Sequence, residues 1–253
     1  MAPAILKAAI FLPWCLALPV PPSADPKGLD VVKDYIHQFL LNKEESPLLT
    51  QEEQLQLLQQ FRQEETDLLR KQMPEFLKEP HCGVADGAND SYFHRNSKWK
   101  KHTLTYSIIN YPKDMNPSTV KDIMRDAVTI WSNVTSLTFQ QVRNENADIK
   151  ISFWEFDHGD GWPFDGPGGI LGHAFLPDSG NPGVVHFDRS EHWSTSHRGF
   201  NLFLVAVHEV GHSVGLWHSR NLDSIMYPRY IYRDPRTFRL AVDDIQRIQQ
   251  LYG

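Results

Sequence analysis

Cysteine is nearly absent from this chain. There are two in 253 residues, Cys15 and Cys82. Removal of the first with an N-terminal leader leaves no pair, so no disulfide framework can underlie the fold. Positive charge is also short. Lys and Arg number 25 against 31 Asp and Glu, a net charge of −6. That balance gives no support to nucleic-acid binding or to an anionic membrane surface. Long apolar runs are missing too. Beyond the run Ala8–Ala17, itself too short to span a bilayer, no stretch is long and apolar enough for a membrane helix. What remains is 41% hydrophobic and 22% charged residues, the composition of a soluble globular protein. The length fits one domain of ordinary size plus an appendage.

The appendage is N-terminal. Residues 1–17 have the form of a secretory signal: Lys7, the apolar run, then small residues allowing cleavage after Ala17. The Pro-rich Leu18-Pro19-Val20-Pro21-Pro22 that follows argues against a core strand. Two glycosylation sequons agree with secretion, Asn89-Asp90-Ser91 and Asn133-Val134-Thr135. Residues 28–79 are predicted to form a small helical unit. Leu29, Val32, Ile36, Phe39 and Leu40 recur at helical spacing. Thr50 and Glu53 form a capping box before a second helix, and a third runs from Leu68 to Phe76 across Pro74. The predicted layout is a signal at 1–17, a helical segment at 18–92 and a main domain at 93–253.

The main domain is organised around His208-Glu209-Val210-Gly211-His212-Ser213-Val214-Gly215-Leu216-Trp217-His218. On a helix, His208 and His212 stand one turn apart on one face and can reach a single tetrahedral cation. Gly215 can take a left-handed turn without steric cost, which ends the helix and brings His218 back as a third ligand. Three His ligands and one open position describe a catalytic zinc rather than a closed structural one. Glu209 is predicted to hold and deprotonate a water at the open position. A bare His-Glu-x-x-His also fits an ordinary amphipathic helix. Gly215, His218 and the following Ser224-Ile225-Met226-Tyr227-Pro228 weigh against that reading.

Around this core, strands are predicted at Thr103–Ile109, Leu137–Val142 and Ile149–Trp154. A helix opens at Asn116-Pro117-Ser118, and a last one spans Val242–Leu251. The alternation gives an α+β, or mixed α/β, domain. His158, Asp160, His173 and His186 offer three imidazoles and a carboxylate, a full tetrahedral shell for a structural zinc. The Gly/Pro-rich loop Pro163–Gly169 fits a plain surface loop. Alternatively, Asp165 joins Asp188 and Glu191 as hard oxygen donors for calcium. Cys82 is either a buried inert thiol or, as thiolate, a fourth ligand that blocks the open zinc position.

Taken together, these motifs resemble the matrixins, the matrix metalloproteinase branch of the metzincins, whose Met-turn matches Met226 and whose third His is followed by Ser, here Ser219. The resemblance implies a five-stranded mixed sheet with three helices, preceded by a three-helix pro-domain. It implies a cysteine switch at residues 80–86, Pro80-His81-Cys82-Gly83-Val84-Ala85-Asp86, where the usual motif has Arg at 81 and Pro at 85. Carbonyls of Gly166, Gly168 and Ile170 would complete a calcium site. Val184 and Arg189 stand where many relatives place Asp for additional calcium ions. Leu171–Phe175 would be an edge strand pairing with an extended peptide. Leu171, Gly172, Pro228 and Tyr230 would contact that peptide, and Leu204 would line an apolar pocket favouring Leu, Ile or Met after the scissile bond.

The implied protein is a secreted, monomeric zinc endopeptidase made as a zymogen. Its expected substrates are extracellular matrix proteins, collagen among them, and its expected partners are tissue inhibitors of metalloproteinases. No hinge, hemopexin-like propeller or gelatin-binding repeat is expected after Gly253, and no dibasic run suits a furin-type convertase. A zinc-dependent binding protein without turnover would not need Glu209. A non-protease zinc hydrolase would not need the Met-turn and edge strand.

Overall fold

The computed structural model describes residues 79–84, 97–143 and 146–253. The predicted leader, the helical patterns of residues 28–78, Ala85, the sequon at Asn89 and the boundary at 92/93 lie outside those residues.

Eight strands and three helices follow in chain order among the described residues: β1 (His81–Cys82), β2 (Thr103–Ile108), α1 (Pro117–Ser132), β3 (Thr138–Gln141), β4 (Ile149–Trp154), β5 (Ile170–Ala174), β6 (Val184–Asp188), β7 (Trp193–Ser194), β8 (Phe200–Asn201), α2 (Leu202–Ser213) and α3 (Val242–Tyr252). Six strands form one mixed sheet in the order β1-β5-β6-β4-β2-β3, and β7 pairs with β8. Only β5 and β6 run antiparallel in the large sheet; every other pairing is parallel. The expected five strands are β2 to β6. The sixth, β1, is added to the β5 edge by the segment around Cys82.

Local chemistry explains the helix boundaries. The Asn116 side chain accepts from Ser118 N at 2.9 Å and Pro117 occupies the first helical turn, so α1 starts where its unpaired N–H groups are covered. Its apolar stripe, Val120, Met124, Ala127 and Trp131, is fully buried. Asn201 caps α2 in the same way through Leu204 N. Apart from Phe203, every residue of α2 is buried, so this helix is the centre of the core. It packs against α1 on one side and against β5 and β6 on the other. The two histidines on α2 are therefore held on the most constrained element of the fold.

Candidate active site

Helix α2 ends as its sequence requires. Val214 is the C-cap, and Gly215 turns back at φ 109°. A Cβ at Gly215 would also lie 1.9 Å from Ser97 O, so no other residue fits. The reversal brings His218 to His208 and His212, with ring centroids 5.3 and 4.8 Å away. His208 Nδ1 donates to Ile225 O at 2.6 Å, and His212 Nδ1 donates to Leu216 O at 2.7 Å. These carbonyls fix the tautomer and leave the two Nε2 atoms 3.1 Å apart, turned to a common point. Burial holds His208 down to about 3, with the neighbouring His218 adding to the effect, and holds His212 well below the ordinary imidazole range. Both rings are neutral at physiological pH, the form that ligates metal.

Cys82 completes the group. Its Sγ lies 3.5 Å from His212 Nε2, and the ligand atoms of Cys82, His208, His212 and His218 all fall within 4.8 Å of one another. Beside them Glu209 is completely buried. No N–H or O–H reaches either carboxylate oxygen, and the Cys82 thiol is the hydrogen-bonding group next to it. Burial drives its pKa up to about 8, the thiol offsetting part of the rise. A buried, donor-starved carboxylate beside three clustered imidazoles fits a divalent cation between them. Gly172 faces it: a Cβ there would lie 3.3 Å from Glu209 Oε1.

The segment 79–84 lies in a cleft. One wall is β5 with the residue before it: His81 N donates to Gly169 O and Gly83 N to Gly172 O, each at 2.8 Å. The other wall is Pro228–Tyr230: Cys82 N donates to Pro228 O at 2.9 Å and Tyr230 N to Pro80 O at 2.8 Å. Leu171, Leu204, Pro228 and Tyr230, all singled out from sequence, line this cleft. The β5 edge thus carries an extended peptide, here the chain's own. His81, in the place of the usual Arg, donates Nδ1–H to Glu79 O at 2.8 Å within the segment. The charge pair to the wall is instead Arg229 with Glu79.

The second cluster also forms. Asp160 Oδ2 lies 3.0 Å from His158 Nε2, 2.8 Å from His173 Nε2 and 2.9 Å from His186 Nδ1. Phe156, the one non-glycine residue at positive φ among the described residues, places its carbonyl 2.8 Å from His158 Nδ1. Burial raises the Asp160 pKa, but the Trp162 N–H and the facing imidazoles outweigh it and leave it at about 2. Burial also holds His186 down to about 4. The set offers four ligand atoms, all within 4.8 Å of one another.

The calcium residues are arranged differently. Asp165 Oδ1 accepts from Ile170 N at 3.0 Å, and Glu191 Oε1 accepts from Gly168 N at 2.6 Å. Asp188 is fully buried with Oδ2 unpartnered. Burial pushes its pKa to about 6, with the Asp165 charge contributing. Among the described residues these three carboxylates do not draw into a third tight ligand cluster. The unpartnered Asp188 oxygen beside a second acid nevertheless fits a cation. Asn133 is exposed at the end of α1.

Three residues were not found from sequence. Asp244 is buried and holds the turn after His218: its carboxylate accepts from Ile225 N at 2.9 Å, from Ala241 N at 3.0 Å and from the Ser224 hydroxyl. Arg247 donates to Trp217 O at 2.7 Å and braces the segment that carries His218. Gly211 lies against Met226. An acid in the first turn of the last helix was the only available signal, and it points equally to helix-dipole stabilisation.

A mixed sheet whose edge faces a three-histidine helix-and-turn site, with a buried acid and a methionine turn below, defines a metal-dependent peptidase. The sequence profile of the Matrixin family matches residues 98–253, and the chain belongs to that family. It is a zinc metalloendopeptidase and a matrix metalloproteinase. It is 68% identical over 249 residues to matrix metalloproteinase-26 of Homo sapiens, covering 98% of this chain and 95% of that protein. It is 49% identical to macrophage metalloelastase of Rattus norvegicus over 80% of this chain, and 47% identical to matrix metalloproteinase-18 of Xenopus laevis over 74%. The chain spans 44% and 40% of the length of those last two relatives.

Proposed function

We propose that the chain is secreted as a zymogen and cleaves extended segments of extracellular matrix and other extracellular proteins, with Glu209 as the catalytic base. The observation that carries this reading is Glu209 itself: fully buried, without an N–H or O–H donor, beside three histidines and a peptide cleft. His208, His212 and His218 would hold the catalytic zinc. The ion supplies a Lewis acid and lowers the pKa of a water at its open position.

The protein's own residues do the rest. Glu209 takes the proton of the attacking water and delivers it to the departing amine nitrogen. A dication beside it favours the carboxylate, against the pull of burial toward the acid. Gly169 O, Gly172 O, Pro228 O and Tyr230 N, which grip residues 80–83 now, grip the substrate backbone after that segment leaves. Leu204, buried at the cleft, gives an apolar floor.

Latency follows from the same geometry. Cys82 fills the ligand position that the water needs, and residues 80–86 act as a cysteine switch ending a pro-segment that spans 18–92. His158, Asp160, His173 and His186 would hold a structural zinc. Asp165, Asp188 and Glu191, with carbonyls of Gly166, Gly168 and Ile170, would hold calcium. Tissue inhibitors of metalloproteinases would enter the cleft as substrate does, and the chain would act as a monomer.

The test is Glu209→Gln. It should retain both zinc ions while lowering turnover of peptide substrates by at least ~10³-fold, because the base is lost and the ligands stay. Near-normal cleavage by Glu209→Gln would remove Glu209 from this role.

A further inference from the structure

Arg229 stands on the cleft wall between two groups that grip main chain. Pro228 O accepts from Cys82 N, and Tyr230 N donates to Pro80 O. Residue 229 itself forms an antiparallel bridge with His81. Its guanidinium pairs with the Glu79 carboxylate. The other arginines of this stretch are engaged by the wall itself. Arg233 donates to carbonyls of Leu222, Asp223 and Ser224 at 2.8, 2.7 and 3.2 Å, Arg236 clasps Asp234 at 2.5 Å, and Arg239 donates to Phe238 O at 2.7 Å. Those contacts survive departure of the 79–84 segment. The Arg229 contact does not, because its acid belongs to the departing segment.

We infer that Arg229 reads the charge of the peptide in the cleft, so that Glu79 stands where an acidic side chain of the substrate binds. This rests on the peptidase reading above. The backbone groups on both sides of Arg229 fix any extended chain at main-chain distance. A side chain of that chain then falls within reach of the guanidinium, as Glu79 does. A carboxylate suits the planar fork of arginine better than any neutral group. Both partners are partly exposed, at 40% and 56%, so the selectivity is modest and sensitive to salt.

The experiment uses the full chain, activated by a thiol-reactive mercurial, with its metals in place. The substrates are one cleavable peptide with a single glutamate walked through the positions on both sides of the scissile bond, each paired with its glutamine counterpart. At one position kcat/KM should favour Glu over Gln by roughly two- to five-fold at low salt. The ratio should fall toward one in ~1 M NaCl, where the Debye length is ~3 Å. Arg229→Gln should bring the ratio to about one at low salt, and Arg229→Glu should turn the preference toward lysine at the same position. A ratio of one at every position in the unmodified protein, with the glutamine peptide cleaved, overturns the inference and leaves the peptidase reading intact. So does a Glu preference that persists in Arg229→Gln or in high salt. Failure to cleave any peptide overturns both.

Discussion

Replacing Gly211 by alanine adds one methyl group between the active-site helix and the methionine turn. In an exposed helix interior that change is favourable by ~1 kcal/mol. Here the new Cβ would lie 2.4 Å from Met226 Sδ, 2.9 Å from Trp131 Cζ2 and 3.2 Å from Met226 Cε. Both neighbours are fully buried, and Trp131 is pinned by its Nε1–H to Val207 O at 2.9 Å. Overpacking of a filled core costs ~1–3 kcal/mol, so the net loss of stability should be ~0–2 kcal/mol. The effect on metal retention should be larger. Met226 follows Ile225, whose carbonyl accepts from His208 Nδ1, and Asp244 holds that backbone in place. Pushing the turn away disturbs the carbonyl that orients a ligand, and such changes cost 10- to 100-fold in metal affinity; roughly ten-fold is expected here. Urea unfolding of chelator-stripped protein measures the first quantity, and zinc competition against a chromophoric chelator measures the second. An alanine variant at least as stable as the parent, with unchanged zinc affinity, would refute the reasoning.

Acid should weaken the protein in a defined window. His208 and His186 are held by burial at about 3 and about 4, whereas in the unfolded chain they protonate near ~6.5. The unfolded state therefore binds more protons, and stability and zinc retention should both fall as pH drops below ~6.5; a flat urea midpoint from pH 7 to 5 would contradict this. Cys82→Ser should raise the peptidase activity of the full-length chain only modestly, because four backbone hydrogen bonds and the Glu79–Arg229 pair still hold residues 79–83 in the cleft. Full peptidase activity of that variant without processing on a gel would show that the thiol, and not the rest of the segment, blocks the cleft. Leu204→Arg should shift preference after the scissile bond from Leu, Ile or Met toward small residues, and an unchanged cleavage profile in a peptide library would place Leu204 outside the pocket.

Much of the site was legible because it is written over short distances. His208 and His212 are related by one helical turn, and Gly215 carries the left-handed turn that returns His218. Asn116-Pro117 marks the start of α1 through a side-chain hydrogen bond made two residues away. Ile149–Trp154 forms the expected strand with the expected bounds. In each case backbone sterics and local hydrogen bonds decide the outcome, and both act within a few residues.

What the sequence could not determine depends on residues far apart along the chain meeting at one point. Asp160 Oδ2 touches three histidines from different stretches, a geometry that spacing alone leaves open. Cys82 reaches His212 across 130 residues only because its segment adds a strand to the β5 edge. Gly211 is favoured by the tertiary packing against Met226 and Trp131, not by the helix, where alanine would be preferred. The pairing of Arg229 with Glu79 joins residues 150 positions apart, and no local pattern announces it. Propensity and capping are properties of neighbours in sequence; the cleft, its occupant and the packing beneath the ligands are set by which surfaces the folded sheet and helices press together.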